Sequence, residues 1–230
     1  MMNIELQNMS SPLSHRGING AFQRERQRMI ERLKTQGIVE PKILSIMAKT
    51  PRHIFIDEAL SSHAYTDHAL PIGYGQTISQ PYIVACMTAA LLAQNRLDNV
   101  LEIGTGCGYQ TAVLAQLVGK VYSVERIESL LLKARERLAT LALYNIDFHH
   151  ADGSCGWKEN APYQGIIVTA APEQIPADLL EQLAIGGRLI MPIGAQGFAQ
   201  KLVKIIRTRS GYEQHDLETV SFVPLRKGVS

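Results

Sequence analysis

The second half of this chain predicts an α/β fold: a doubly wound, mostly parallel sheet with an N-terminal helical extension before it and an antiparallel C-terminal edge after it. Three observations carry the prediction. From residue 96 onward, short apolar runs of strand type alternate with helical patterns, as a parallel sheet with crossover helices requires. A glycine turn, Gly104-Thr105-Gly106-Cys107-Gly108, lies where the first such run gives way to a helix. The last three strand-type runs follow one another without helices, and strands joined so closely must pair antiparallel.

In chain order, the first fifteen residues are polar and are expected to be mobile. From Arg16 to Gln36, Phe22, Met29, Ile30 and Leu33 share one helical face and Gly37 offers a stop. Arg24, Arg26 and Arg28 on this helix read as a solvated face rather than a ligand patch. A short helix follows from Pro41 to Thr50, ended by Pro51. Residues 62–78 read as an irregular loop of functional length. Ser79-Gln80-Pro81 opens the next helix, with Ser79 as its expected N-cap and Ile83, Val84, Met87 and Leu91 on its apolar face. The core then reads as strand 99–103, helix 109–118, strand 120–124, helix 128–141, strands 146–150 and 165–169, and helix 176–183 stopped by Gly186-Gly187. Strands 188–193, 202–207 and 219–224 complete it. We read one domain over 1–230, with 16–95 as extension and loop and 96–230 as the α/β core.

Composition excludes several classes. With 230 residues, 46% apolar, 19% charged and a net charge of +2, the chain is an ordinary globular one, without the basic excess that nucleic acid or a membrane surface would require. Cys86, Cys107 and Cys155 are odd in number and widely spaced, so neither a disulfide framework nor a zinc site is expected. The longest apolar run, Tyr82 to Ala93, falls short of the ~20 residues that span a bilayer. The first residues lack the basic and apolar regions of a signal peptide, and the expected compartment is the cytoplasm.

The glycine turn discriminates between cofactors. Dinucleotide sites use G-x-G-x-x-G, whereas Gly104, Gly106 and Gly108 give G-x-G-x-G. Glu102 precedes the first glycine by two, and a carboxylate there suits an ammonium and repels a pyrophosphate. Glu125 ends the second strand, where an acid can take both ribose hydroxyls, and Asp152-Gly153 follows the third, within reach of an adenine amine. An acid after each of three successive strands points to S-adenosyl-L-methionine, and to the Rossmann-like fold that binds it. Cys107 reads as glycine-turn packing rather than a nucleophile. His149 and His150 alternate on a strand and cannot share one metal, so no metal site is expected.

Beyond this module the chain resembles the protein-L-isoaspartate O-methyltransferase family. Tyr74-Gly75-Gln76-Thr77-Ile78-Ser79-Gln80-Pro81 carries the family-specific match. It is supported by Leu101–Gln110, Asp152-Gly153, Thr169-Ala170-Ala171-Pro172, Gly186-Gly187-Arg188-Leu189 and Val220 to Leu225. The resemblance implies methyl transfer from S-adenosyl-L-methionine to the free carboxylate of isoaspartyl residues in damaged proteins. It implies Ser79 as the active-site serine, with Thr77 and Ile78 walling the cofactor pocket. Glu102, Gly104, Thr105, Gly106, Glu125, Asp152 and Gly153 would hold the cofactor, and Val223, Pro224 and Leu225 would line the substrate cleft. Some members carry aspartate at Glu102 and Glu125 and histidine at Tyr82. The expected partners are isoaspartyl proteins and peptides, with no nucleic acid and no membrane, and a monomer as the working form. The alternatives are a methyltransferase of small molecules or RNA, or a cofactor-binding module without catalysis.

Overall fold

The computed structural model describes residues 12–93 and 96–230. The expected mobility of the first fifteen residues falls, for 1–11, outside the described residues. The extension contains α1 (Pro12–Thr35), α2 (Pro41–Lys49), 3-10 turns at Arg52–Phe55 and Glu58–His63, the strands β1 (Leu70–Gly73) and β2 (Gln76–Ile78), and α3 (Pro81–Leu92). The core follows as β3 (Asn99–Ile103), α4 (Tyr109–Ala115), β4 (Lys120–Glu125), α5 (Glu128–Thr140) and β5 (Ile146–His150). It continues through β6 (Tyr163–Val168), α6 (Ala177–Glu181), β7 (Leu183–Ile193), β8 (Gln200–Arg207) and β9 (Tyr212–Val220).

The large sheet has the order β5-β4-β3-β6-β7-β8-β9, with β5 to β7 parallel and β7-β8-β9 antiparallel. The chain leaves β3 toward β4 and β5 on one side and returns on its other side with β6, so a switch point lies at the carboxyl end of β3. Side chains alternate across this strand. Val100 joins the core layer shared with α1 to α4, whereas Leu101 and Ile103 join the layer on the opposite face with Tyr163 and Leu179. One continuous hydrophobic layer therefore runs from the N-terminal helices into the sheet.

Several boundaries differ from the sequence reading, each for a physical reason. Residues 62–78 are not wholly irregular: β1 and β2 form a hairpin whose two turn residues, Tyr74 and Gly75, both have positive φ, as primed hairpin turns demand. Strands this short, carrying Pro71 and Gly73, give no readable alternation. The last strand spans 212–220 rather than 219–224. It is an exposed edge of polar residues, stabilised by its ladder to β8 rather than by an apolar face, and Glu213, Asp216 and Glu218 guard it against further pairing. Residues 223–225 instead form a strap that bridges Ala171: Ala171 N–H donates to Val223 O and Leu225 N–H to Ala171 O, both at 2.8 Å. Helix α6 is shorter than expected, and Gly186-Gly187 lie within β7 instead of stopping a helix. Helix α4 likewise ends at Ala115.

Helix α3 opens differently as well. Gln80, not Ser79, stands at the N-cap, and Ser79 makes no capping bond. The orphan amide of Tyr82 is satisfied from a distance, by the Asp67 carboxylate at 3.0 Å, whose other oxygen accepts from Gln36 at 2.9 Å. Long-range caps recur in this layer. Arg26 Nη1 donates to the last carbonyls of α2, Ala48 O and Lys49 O, while Arg28 only pairs with Glu25 at the surface. The fully buried Arg52 donates to Ala64 O at 2.8 Å and lies 4.8 Å from the centroid of the Tyr109 ring, joining the extension to α4. Asp67→Ala is expected to cost about 1 kcal/mol through loss of the remote cap. Ser79→Ala is expected to leave stability nearly unchanged. Paired urea denaturation curves check both, and equal losses for the two variants would contradict this assignment of the cap.

Candidate active site

The switch point opens into a cleft of about 820 Å3, counting the open space at its mouth. Four segments build it. The glycine turn forms the floor, the hairpin end and Ser79 one wall, and the Val223–Leu225 strap another, with Glu125 and Gly153 at the ends of neighbouring elements. Thr77, Ile78, Ser79, Gly104, Thr105, Gly106, Glu125, Gly153, Val223, Pro224 and Leu225 thus meet at one place. Gly104 has φ +92°, and a Cβ there would run into Thr169 Oγ1, so only glycine lets the turn pass this close to the end of β6.

The turn is committed internally. The amides of Gly104 and Thr105 donate to Val124 O, that of Gly106 to Glu125 Oε2 at 2.8 Å, and that of Gly108 to Thr105 O. Those four donors are unavailable to a phosphate. Glu125 accepts additionally from Ile127 N–H at 2.9 Å through its other oxygen. Each carboxylate oxygen of Glu125 thus accepts one bond and keeps a second lone pair, on a residue that lines the cleft.

Glu102 is placed otherwise. It is fully buried, does not line the cleft, and faces α4 from β3. Its Oε2 accepts from Thr111 Oγ1 and from Ser123 Oγ, both at 2.6 Å, and its Oε1 has no partner. Ser123 stands opposite Glu102 in the parallel register and also meets Thr105 Oγ1 at 2.6 Å. Burial pushes the carboxyl up to about 7. The bonds from Ser123 and Thr111 work against that rise, and the charge of Glu125 adds to it.

Asp152 does not line the cleft either. It accepts from the amide and hydroxyl of Ser154 and from Gly228 N–H at 2.7 Å, which latches the C-terminal strap. Burial opposes its ionisation, but the Gly228 and Ser154 bonds outweigh burial and hold the carboxyl below its ordinary range. Tyr82 also stays outside the cleft; burial, with Cys86 and Glu218 beside it, pushes its phenol up.

Arg126 and Arg226 line the cleft and went unnoticed in the sequence, where an arginine beside a motif carries no signal of its own. Cys107 is buried and burial pushes its thiol up, which disfavours the thiolate a nucleophile needs. His149 stacks on Trp157 at 4.7 Å, while the neighbouring His150 meets Arg126 O. Among the described residues no group of three or more His, Cys, Asp or Glu could hold a metal ion.

Known proteins match this chain over most of its length. The model of the protein-L-isoaspartate(D-aspartate) O-methyltransferase family matches residues 24–230. A protein-L-isoaspartate O-methyltransferase 1 of Nitrosococcus oceani is 56% identical over 209 residues, covering 91% of this chain and 98% of the relative. The protein-L-isoaspartate O-methyltransferase of Pseudomonas aeruginosa is 56% identical over 206 residues, covering 90% and 97%. A solved protein-L-isoaspartate O-methyltransferase superposes with a TM-score of 0.79 at 28% identity, over 86% of this chain and 65% of that one. A Plasmodium falciparum structure described under the same activity, in complex with S-adenosyl-L-homocysteine, gives 0.76 at 25% identity, over 88% and 98%.

The raised Glu102 carboxyl has a consequence for stability. Between about 4.5 and about 7 the unfolded chain has released this proton while the folded chain still holds it. Folding binds a proton in that window, so this group makes the ligand-free protein less stable as pH rises through it. Glu102→Gln, which cannot titrate, is expected to flatten the decline. Urea unfolding at both ends of the window measures it, and an unaltered pH dependence in the variant would show that Glu102 does not titrate there.

Proposed function

Because the chain belongs to the protein-L-isoaspartate(D-aspartate) O-methyltransferase family and moves the methyl group of S-adenosyl-L-methionine to isoaspartyl carboxylates, we propose that Ser79 positions the accepting carboxylate in the cleft. The observation that carries this is the placement of Ser79 and of the Val223-Pro224-Leu225 strap around one cleft floored by the glycine turn. Ser79 makes no capping bond, which leaves its hydroxyl available to a substrate.

The chemistry asks little of a base. An aspartyl-type carboxylate, with pKa about 4, is ionised at neutral pH. One of its oxygens attacks the sulfonium methyl in line. The new C–O bond forms as the C–S bond breaks, and its electron pair stays on sulfur to give the neutral thioether. Anion and cation neutralise each other in the transition state, so a cleft that excludes water favours the reaction. Alignment of oxygen, carbon and sulfur is the larger contribution, and it falls to the residues around the cleft. The ester made is a better leaving group than a carboxylate. Attack by the following backbone amide expels methanol and closes a succinimide, and hydrolysis of that ring returns in part the normal aspartyl linkage. Methylation therefore initiates repair.

In this reading Thr77 and Ile78 wall the methyl donor, Gly104, Thr105, Gly106 and Gly153 contact it closely, and Glu125 takes its ribose hydroxyls. Glu102 and Asp152 act from beneath, the first by supporting the turn and the second by latching the strap. Isoaspartate differs from aspartate in its backbone path and not in its charge, so the strap, with its backbone already extended, is the element that selects. We take the working form as a monomer, since each wall of the cleft comes from this one chain. We place it in the cytoplasm, where Cys86, Cys107 and Cys155, all free, stay reduced.

Ser79→Ala is expected to lower methylation of an isoaspartyl peptide by roughly one to three orders of magnitude, with little change in cofactor affinity. The aspartyl peptide of the same sequence should react more than about tenfold slower than its isoaspartyl twin with the wild-type protein. Radiolabelled methyl transfer measures both, and an undiminished rate in a folded Ser79→Ala protein would remove the serine from the mechanism. Glu125→Ala should weaken cofactor binding by about 1.5–3 kcal/mol; calorimetric titration at wild-type affinity would exclude it from the ribose contact.

A further inference from the structure

We propose that Ser123 is a positioning residue for the methyl donor: it sets the direction of the Thr105 hydroxyl so that Thr105 presents lone pairs, not a hydrogen, to the ammonium group of the bound cofactor. The inference rests on the S-adenosyl-L-methionine reading above and assigns the recognition of one part of that ligand.

Thr111 and Ser123 both lie 2.6 Å from the same oxygen of Glu102, and that oxygen accepts from each. The ionised carboxylate has no hydrogen to give, so both 2.6 Å contacts at Oε2 are donations from the hydroxyls. Ser123 has a single hydroxyl hydrogen and gives it to Glu102, so at its 2.6 Å contact with Thr105 it must accept. Thr105 then spends its own single hydrogen on Ser123. What remains of that hydroxyl is its lone pairs, on a residue that lines the cleft.

The surroundings make this acceptor the directed one. The amides of the turn at Gly104, Thr105, Gly106 and Gly108 are bonded within the protein and compete with no ligand for it. Charge accompanies direction: the buried Glu102 lies one hydroxyl further along the chain, and a cation at Thr105 is stabilised through Ser123 without touching the carboxylate. A simple packing role for Ser123 would not require any of the three hydroxyls to be oriented.

The test compares two unreactive ligands, S-adenosyl-L-homocysteine and its analogue lacking the amino group, by calorimetry on the intact protein. The wild type is expected to favour the amino-bearing ligand by about tenfold or more, the scale of a hydrogen bond to a charged group. Ser123→Ala and Thr105→Val should lose most of that preference, and Thr105→Ser, which keeps the hydroxyl, should retain it. A merely structural role for Ser123 weakens both ligands alike and preserves the preference, which would overturn the proposal, as would a wild type without preference. If Ser123→Ala does not fold, Ser123→Cys, close in volume but a weaker donor, is read in the same way. A wild type that binds neither ligand defeats the cofactor reading itself rather than the role of Ser123.

Discussion

A carboxyl group without water around it must find hydrogen bonds, and Glu102 finds them in a way that organises the whole cofactor end of the molecule. Its two hydroxyl donors come from α4 and from β4, so one side chain ties the central strand to the next strand and to the helix after the glycine turn. Leucine at this position would avoid the desolvation cost, but it would take the carboxylate acceptor from Thr111 in a dry interior and leave Ser123 with Thr105 alone. The polar cluster therefore costs stability and in return fixes geometry. It holds the turn at one height relative to β4, and Glu125 completes the arrangement by taking the Gly106 amide from the end of that strand.

The extension depends on the same economy of polar groups at a larger scale. Its helices are short or flanked by turns, and their termini are satisfied by residues far away in sequence: Asp67 for the start of α3, Arg26 for the end of α2. Such caps join elements as well as ending them. Ser79 is released from the structural duty that its position suggests, and it stands at the cleft wall with its hydroxyl uncommitted by a cap. Arg52, buried against Tyr109, couples this layer to α4, whose first residue also lines the cleft. Wall and floor are thus two faces of one packed unit.

Asp152 illustrates how a residue can serve a site without facing it. As an acid after the third strand of the α/β core it looked like a partner for the adenine amine. Its oxygens are taken instead by Ser154 and by the Gly228 amide. Gly153 beside it does reach the cleft, packed so tightly on Ile103 that a Cβ would collide with it. Neighbouring residues in one motif thus divide the work, one closing on the ligand space and the other holding the strap that covers it.

What the sequence by itself determined is the order and kind of the core elements from β3 to β8, the glycine turn at the end of the first core strand, and the Thr77–Pro81 and Val223–Leu225 segments that mark the family. These are local properties: periodicity, turn chemistry and contiguous motifs survive being read along one line. The tertiary structure alone decided which acids face the cleft. Glu102 and Glu125 look alike in sequence, each at or near a strand end. In a central parallel strand both faces are buried, so alternation gives no sign of which way a side chain points. Only the register that sets Glu102 opposite Ser123, and the helix that brings Thr111 over it, turned one carboxylate inward and left the other at the cleft. The remote cap on α3 and the polar edge strand β9 escaped the sequence for a related reason, since each is stabilised by a partner distant in the chain rather than by its own composition.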